Sequence, residues 1–130
     1  MIEKIDHIGI VVRDLQNGIK LYTEGLGLKV ESIEESEEFQ TKLAMLPCGE
    51  VLIELLEPTG AGMLQDFLNN HGEGLHHIAY KVSNINEALE KASKTFELRD
   101  KTPLPGAGGS RIAFLNPASI LNVETEFVEK

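Results

Sequence analysis

Two histidines and two glutamates lie in apolar, strand-like stretches of the sequence, where charged side chains are uncommon. His7 lies in "KIDHIGIVV" and His77 in "LHHIAYKV". Glu54 lies in "VLIELLE" and Glu126 in "NVETEFVE". A carboxylate between apolar neighbours is costly to bury unless it has a partner. Imidazole and carboxylate groups together suit a divalent first-row metal ion such as Co, Mn, Ni or Zn, so these four residues predict a metal site.

Strand alternation distinguishes His77 from its neighbour His76. Successive side chains of a strand point to opposite faces, so His76 shares the apolar face of Ile78 while His77 lies on the other face. His7 has the equivalent position on the earlier strand, away from the side that a helix would cover. We interpret His71 and His76 as structural residues, because a single histidine in such a context is usually one.

An internal repeat supports the pairing of the two histidines. Moving "IDHIGIVVRDL" (residues 5–15) by 70 positions lays it over "LHHIAYKVSNI" (residues 75–85), so that His7 meets His77. The strand, the helix cap and the phase of the following helix match in the two stretches, which indicates a duplicated unit.

The repeat leaves the partner of Glu54 open between two residues. The same shift of 70 positions selects Glu124, whereas a two-residue insertion in the second half selects Glu126. The two candidates share one face of the strand, since they are two residues apart.

The elements that position these residues follow the order βαβββ twice. The first half has a strand, a helix after the N-cap Asp14, and the strand-like pieces "LKVESIE", "FQTKLAML" and "VLIELLE". A short amphipathic helix is predicted over Met63–Asn70. The second half has "LHHIAYKV", a helix after Asn84, "RIAFL" and "NVETEFVE", with one strand near Leu98–Thr102 only weakly indicated.

This order predicts an α+β fold in one domain over residues 1–130. Module 1 covers about 1–60, a linker helix about 61–72, and module 2 about 73–130. Each half is too small and too one-sided to bury its own sheet, so we expect the two modules to pack against each other.

Charge, apolar runs and cysteine content argue against nucleic-acid partners, membrane insertion and secretion. The net charge of −9 argues against nucleic acid, which binds cationic surfaces. No apolar run has the length of a membrane span, and "MIEKIDHIGI" lacks the features of a signal peptide. The one cysteine, Cys48, cannot form an internal disulfide, so a cytoplasmic location is expected.

Taken together, these stretches resemble the vicinal oxygen chelate (glyoxalase/bleomycin resistance/dioxygenase) superfamily, and within it the methylmalonyl-CoA epimerases. The resemblance spans nearly the whole chain, in family order. It rests on "KIDHIGIVVRDL", "YTEGLGLKV", "IELLEP", "FL", "GEGLHHIAYKV", "PGAGGSRIAFLNP" and "VETEFVE". It implies paired βαβββ modules that form an open half-barrel around a metal site, commonly in a homodimer. The family's metal ligands map onto His7, Glu54, His77 and Glu126, which favours Glu126 over Glu124.

The activity implied by the resemblance is a metal-dependent epimerase. Such an enzyme interconverts the stereoisomers of methylmalonyl-CoA, or of a close 2-substituted acyl-CoA thioester, by removing the α-proton through a metal-stabilised enolate. Glu126 is then one catalytic acid/base. The family's second catalytic group is a glutamate whose position maps onto Lys42, so this chain departs from the family there. Gln40 and Lys42 have the parity to face one cavity together, and exposure to solvent is an equal alternative for both. Arg111 is a candidate for holding the CoA phosphates.

Two other functions fit the same fold. A lyase like lactoylglutathione lyase (glyoxalase I) would use the same metal ligands on a glutathione adduct, and only a substrate test separates it from the epimerase. A non-enzymatic small-molecule-binding protein would favour aromatic cavity walls, which the absence of Trp and an aromatic content of 5% disfavour. A ring-cleaving dioxygenase is disfavoured as well, because its iron usually has two histidines and one carboxylate.

Overall fold

The computed structural model describes all residues, 1–130, and follows the expected element order. The strands are β1 (Ile2–Val11), β2 (Ser32–Ser36), β3 (Thr41–Cys48), β4 (Val51–Pro58), β5 (Gly74–Val82), β6 (Leu104–Pro105), β7 (Arg111–Phe114) and β8 (Thr125–Glu129). The helices are α1 (Leu15–Lys20, followed by a π-helical turn over Leu21–Gly25), α2 (Met63–His71) and α3 (Ile85–Ala92). The twofold βαβββ order is therefore confirmed, with α2 between the two modules.

The chain forms two compact units, and both boundaries fall inside strands. The N-terminal unit is His7–His76, and the C-terminal unit is Met1–Asp6 together with His77–Lys130. Each unit therefore contains a segment of β1 and a segment of β5. None of the three helices has the length and hydrophobicity that crossing a bilayer requires.

In the N-terminal unit, α1 covers one face of the strands β2-β3-β4-β1. β1 is parallel to β4, and β3 is antiparallel to both of its neighbours. The Asp14 carboxylate caps α1 by accepting the backbone N–H of Asn17 at 3.2 Å. Gly18 allows a close approach of this helix, since a Cβ there would lie 3.4 Å from Leu55 Cδ1. The core beneath α1 contains Val12, Leu15, Ala44, Leu46 and Leu55.

The C-terminal unit repeats this arrangement with the strand order β1-β5-β8-β7-β6. β5 is parallel to β8, and β7 is antiparallel to β8. The Asn84 side chain caps α3 by accepting the backbone N–H of Glu87 at 3.1 Å. The first residues of β1 lie beside β5, where the Ser83 N–H donates to the Met1 carbonyl at 3.2 Å. The core beneath α3 contains Val82, Ile85, Ala88, Leu89, Ala92, Ala113, Leu115 and Phe127.

The weakly predicted strand near Leu98–Thr102 occurs slightly later in the chain as the two-residue β6, and Leu98 forms only an isolated bridge with Leu115. Beyond this bridge the backbone N–H groups of Arg99 and Asp100 both donate to the Phe114 carbonyl, at 3.0 and 3.1 Å. The Asp100 carboxylate in turn accepts the Phe114 N–H at 2.9 Å. The Asp100 side chain thus takes the place of a backbone carbonyl as the acceptor for the Phe114 N–H, so regular strand pairing does not continue beyond Leu98.

Candidate metal centre

The N-terminal unit contains one buried histidine–glutamate pair. His7 lies on β1 and Glu54 on the neighbouring β4, with 3.5 Å between His7 Nε2 and Glu54 Oε1. Each side chain is only 6% exposed. Gly9 is the register partner of Glu54, so His7 and Glu54 share one face of the sheet, opposite to α1.

The C-terminal unit contains a second pair of the same kind. His77 lies on β5 and Glu126 on the neighbouring β8, with 3.7 Å between His77 Nε2 and Glu126 Oε2. Each side chain is 4% exposed. The edge of the Phe114 ring meets the imidazole of His77, with 5.7 Å between ring centroids and an interplanar angle of 82°.

The geometry of each pair fits two ligands of one divalent ion. The distances of 3.5 and 3.7 Å exceed those of a charge-assisted N–H···O hydrogen bond, about 2.7–2.9 Å. Two donors bound about 2.1 Å from one ion at a tetrahedral angle lie about 3.4 Å apart. Buried imidazole nitrogens and carboxylate oxygens are also the donors that first-row metals prefer.

The register resolves which glutamate of the second module corresponds to Glu54. Gly9 of β1 is opposite Glu54, and Ala79, which the repeat lays over Gly9, is opposite Glu126. Glu126 therefore has the position of Glu54, and the second module carries a two-residue insertion. Glu124 makes a different contact, a 2.8 Å ion pair with Arg99.

Two equivalent hydrogen bonds at the starts of α1 and α3 indicate the same two-residue insertion. The carboxylate of Glu57 accepts the backbone N–H of Leu15 at 2.8 Å, at the start of α1. Glu129 accepts the backbone N–H of Ile85 at 2.9 Å, at the start of α3. The helix residues are 70 positions apart and the glutamates 72, so the extra residues lie between α3 and β8.

The structure places Lys42 and Gln40 in exposed positions away from Glu54. Met45 is the register partner of Glu54 and shares its face, so Lys42, an odd number of residues earlier, lies on the opposite face beside Glu57. Gln40 lies in the turn before β3 with φ 49°, and its amide donates to the Glu37 carbonyl at 2.9 Å.

Arg111 also lies on the face opposite to the candidate metal centre. Its Nη1 is 3.0 Å from Glu129 Oε1, and the two residues are register partners. Lys42 has the same relation in the first module, since it is opposite Glu57. The two basic residues therefore stand beside the glutamates that cap α1 and α3, and not beside the buried pairs.

His71 and His76 lie in an aromatic cluster with Phe67. The Phe67 ring meets His76 edge to face, with 5.0 Å between centroids, and lies 4.9 Å from His71. These contacts agree with the structural interpretation of both histidines.

The sequence did not identify the group of residues next to the His77–Glu126 pair, which consists of Arg99, Phe114 and Glu124. The Arg99 guanidinium carbon is 5.7 Å from the centroid of the Phe114 ring, whose edge contacts His77. Glu124 had been recognised by its parity with Glu126, but Arg99 lies in the segment where regular strand pairing stops, so no periodic pattern indicated its direction.

The chain matches the model of the Glyoxalase/Bleomycin resistance protein/Dioxygenase superfamily over residues 6–114. It is 36% identical to the uncharacterized protein YqjC of Bacillus subtilis (strain 168), over 97% of this chain and 91% of that protein. It is 31% identical to the mitochondrial methylmalonyl-CoA epimerase of Dictyostelium discoideum, over 99% of this chain and 80% of that protein. It is 32% identical to the lactoylglutathione lyase of Escherichia coli O157:H7, over 91% and 87%.

Solved structures match over nearly the whole chain. A hypothetical protein from Bacillus halodurans C-125 has a TM-score of 0.95 and 38% identity, covering 98% of this chain and 94% of that one. A methylmalonyl-CoA epimerase in complex with methylmalonyl-CoA and NH4+ has a TM-score of 0.95 and 33% identity, covering 100% and 96%. A variant of the Streptomyces coelicolor enzyme, in complex with 2-nitronate-propionyl-CoA, has a TM-score of 0.95 and 33% identity, covering 100% and 99%. These matches confirm the predicted fold class.

Proposed function

Because the chain belongs to the glyoxalase/bleomycin resistance protein/dioxygenase superfamily, we propose that it is a metal-dependent epimerase. It interconverts the stereoisomers of methylmalonyl-CoA or of a close 2-substituted acyl-CoA. The observation that carries this proposal is a buried histidine–glutamate pair at the same place in each module. The identity of 33% with methylmalonyl-CoA epimerase over the whole chain supports an acyl-CoA thioester as the substrate.

The proposed cofactor is one divalent ion, of Co, Mn, Ni or Zn, held by His7, Glu54, His77 and Glu126. Each module supplies one buried histidine and one buried glutamate at equivalent positions, which supports a shared ion. Two carboxylates neutralise the charge of such an ion. Burying the ion together with the carboxylates therefore costs less free energy than burying an unpaired ion or an unpaired carboxylate. When bound, the ion polarises the substrate's carboxylate and thioester oxygens as a Lewis acid, which makes the α-proton removable.

Epimerisation also needs a base on one face of the substrate and an acid on the other. We propose Glu126 for one of these roles. The strand next to Glu54 offers no second group, because Leu43 and Met45 share the face of Glu54 while Lys42 lies on the other. Glu54 is the repeat equivalent of Glu126, so we propose that the two carboxylates exchange protons with opposite faces of the substrate.

The assembly and the compartment stay predictions. We propose a homodimer in the cytoplasm, as the resemblance and the single cysteine, Cys48, led us to expect. Size-exclusion chromatography with light scattering tests the assembly, and a mass of one chain would contradict it.

The proposed function is tested by incubating methylmalonyl-CoA with the protein in D2O, with added divalent metal and with a chelator. We expect metal-dependent uptake of deuterium at the α-carbon together with conversion of either stereoisomer into the other. Absence of metal-dependent uptake above background would remove this function.

A second arm of the same experiment tests the lyase. The hemithioacetal of methylglyoxal and glutathione is offered under the same conditions, because the identity of 32% with lactoylglutathione lyase makes that enzyme the second candidate. Turnover of the hemithioacetal without exchange in methylmalonyl-CoA would favour the lyase. Binding of either compound without turnover would favour a small-molecule-binding protein.

A further inference from the structure

An arginine stands beside the second histidine–glutamate pair, on the same face of the sheet. Leu98 packs against the core under α3, whereas the guanidinium of the next residue, Arg99, lies over the Phe114 ring, so its side chain is on the opposite face. That face carries Phe114 and Glu126, which are register partners on β7 and β8.

Three contacts hold Arg99 at this place. Its Nη2 lies 2.8 Å from Glu124 Oε1, and its guanidinium carbon lies 5.7 Å from the centroid of the Phe114 ring. Its backbone N–H donates to the Phe114 carbonyl at 3.0 Å. The Phe114 ring links Arg99 to the candidate metal centre, because its edge contacts His77 at 5.7 Å between centroids.

The Arg99–Glu124 pair is partly open to solvent, unlike the buried pair beside it. The side chains of Arg99 and Glu124 are 34% and 20% exposed, whereas those of His77 and Glu126 are 4% exposed. Glu124 immediately precedes β8, and its carbonyl accepts the Ile78 N–H at 3.1 Å, so the ladder places it two positions before Glu126 on one face. The Arg99 guanidinium is therefore accessible to a solute on this face of the sheet.

The carboxylates on this face repel an anionic substrate unless nearby cations offset them. Glu124 and Glu126 contribute two carboxylates, and the whole chain has a net charge of −9. The guanidinium of Arg99 offsets one of these carboxylates through the 2.8 Å contact. Its planar fork also matches the geometry of a carboxylate, and it is permanently charged.

We propose that Arg99 is a specificity-determining residue that recognises the carboxylate of the acyl group, and that Glu124 and Phe114 position it. The inference rests on the proposed function, because it assigns the substrate class of that same site. The site then selects thioesters of 2-carboxyacyl groups over thioesters of simple acyl groups.

The test compares two probes that differ by one carboxylate. Methylmalonyl-CoA and propionyl-CoA carry the same CoA phosphates, and only the first has the acyl carboxylate. Their dissociation constants are measured by calorimetry on metal-loaded wild-type protein and on Arg99→Gln. Arg111→Gln is the matched control, because Arg111 also pairs with a glutamate, at 3.0 Å, but on the opposite face. Melting curves verify that each variant is folded.

We expect Arg99→Gln to weaken methylmalonyl-CoA binding about ten- to hundredfold, the value of a charge-assisted hydrogen bond, while propionyl-CoA binding changes little. Arg111→Gln keeps the wild-type ratio of the two constants. Glu124→Gln lowers this ratio less than Arg99→Gln does, because the guanidinium remains but loses the ion pair that positions it. Should Arg99→Gln fail to fold, Arg99→Lys is measured instead. Lysine keeps the positive charge but not the planar fork, so we expect a smaller loss of preference for methylmalonyl-CoA over propionyl-CoA than in Arg99→Gln.

Three results overturn the inference. Arg99→Gln could weaken both ligands equally, which would assign Arg99 to the CoA phosphates or to folding. It could leave both constants unchanged. In either case wild-type preference for methylmalonyl-CoA would leave the proposed function standing. If wild-type protein binds neither acyl-CoA, the proposed function fails and this inference fails with it.

Discussion

Replacing Glu54 by glutamine separates its two proposed roles. The amide keeps the size of the side chain and an oxygen donor for the metal, but it cannot accept the α-proton. Because Leu43 and Met45 are the neighbours of Glu54 on its face of β3, no nearby group there takes over the lost proton transfer. General acid–base catalysis contributes about 10²- to 10⁴-fold, so we expect epimerisation by Glu54→Gln to fall by that factor.

The assay follows each stereoisomer of methylmalonyl-CoA separately in D2O. With Glu126 as the remaining base, one stereoisomer exchanges its α-proton and keeps its configuration, and the other exchanges much more slowly. Lys42→Gln is the control, because Lys42 is exposed and lies on the opposite face of β3, so its activity stays at the wild-type level. Wild-type epimerisation by Glu54→Gln, or its loss in Lys42→Gln, would refute this assignment.

Two further predictions concern stability. Divalent metal at about 100 times its dissociation constant adds about 2.7 kcal/mol, which for a chain of 130 residues raises the melting temperature by about 10 °C. Calorimetric scans should show this rise in His71→Ala but not in His77→Ala, and an equal rise in both would contradict the ligand set. Glu57→Ala and Glu129→Ala each remove the acceptor of a first helical N–H and should cost about 1–2 kcal/mol in urea unfolding, with metal binding retained. Unfolding free energies equal to wild type would contradict the capping role.

Much of the fold follows from local patterns in the sequence. Strand alternation separated His77 from His76, and the structure places them on opposite faces, His77 beside Glu126 and His76 against Phe67. Asp14 and Asn84 were recognised as helix caps, and both accept the backbone N–H three residues on. These features depend on residues close in sequence, so periodicity and side-chain chemistry are sufficient to predict them.

The orientation of Lys42 could have been predicted from the sequence, because the turn between β3 and β4 fixes the register of the two strands. Gly49 and Glu50 form a two-residue connection between β3 and β4, which sets Cys48 opposite Val51 and therefore Met45 opposite Glu54. Counting back along β3 from this turn places Lys42 on the face away from Glu54. Parity within β3 alone could not show this, because it relates residues of one strand to each other and not to the next strand.

The position of Arg99 could not be predicted in the same way. Two N–H groups share the Phe114 carbonyl there, and the Asp100 side chain takes the place of a backbone partner. Such a departure from the ladder changes the direction of the following side chains without a periodic signal. The choice of Glu126 over Glu124 likewise needed the register of β5 with β8, because an insertion of two residues leaves strand parity unchanged.

Metal analysis of the purified chain tests most directly whether the two histidine–glutamate pairs share one ion. After saturation with Co, Mn, Ni or Zn and removal of excess metal, we expect one equivalent per wild-type chain. His7→Ala and His77→Ala should each lose it, because each removes a ligand of the same ion. Two equivalents per chain, with one lost in each variant, would show that the pairs act separately, and no bound metal under any condition would contradict the account altogether.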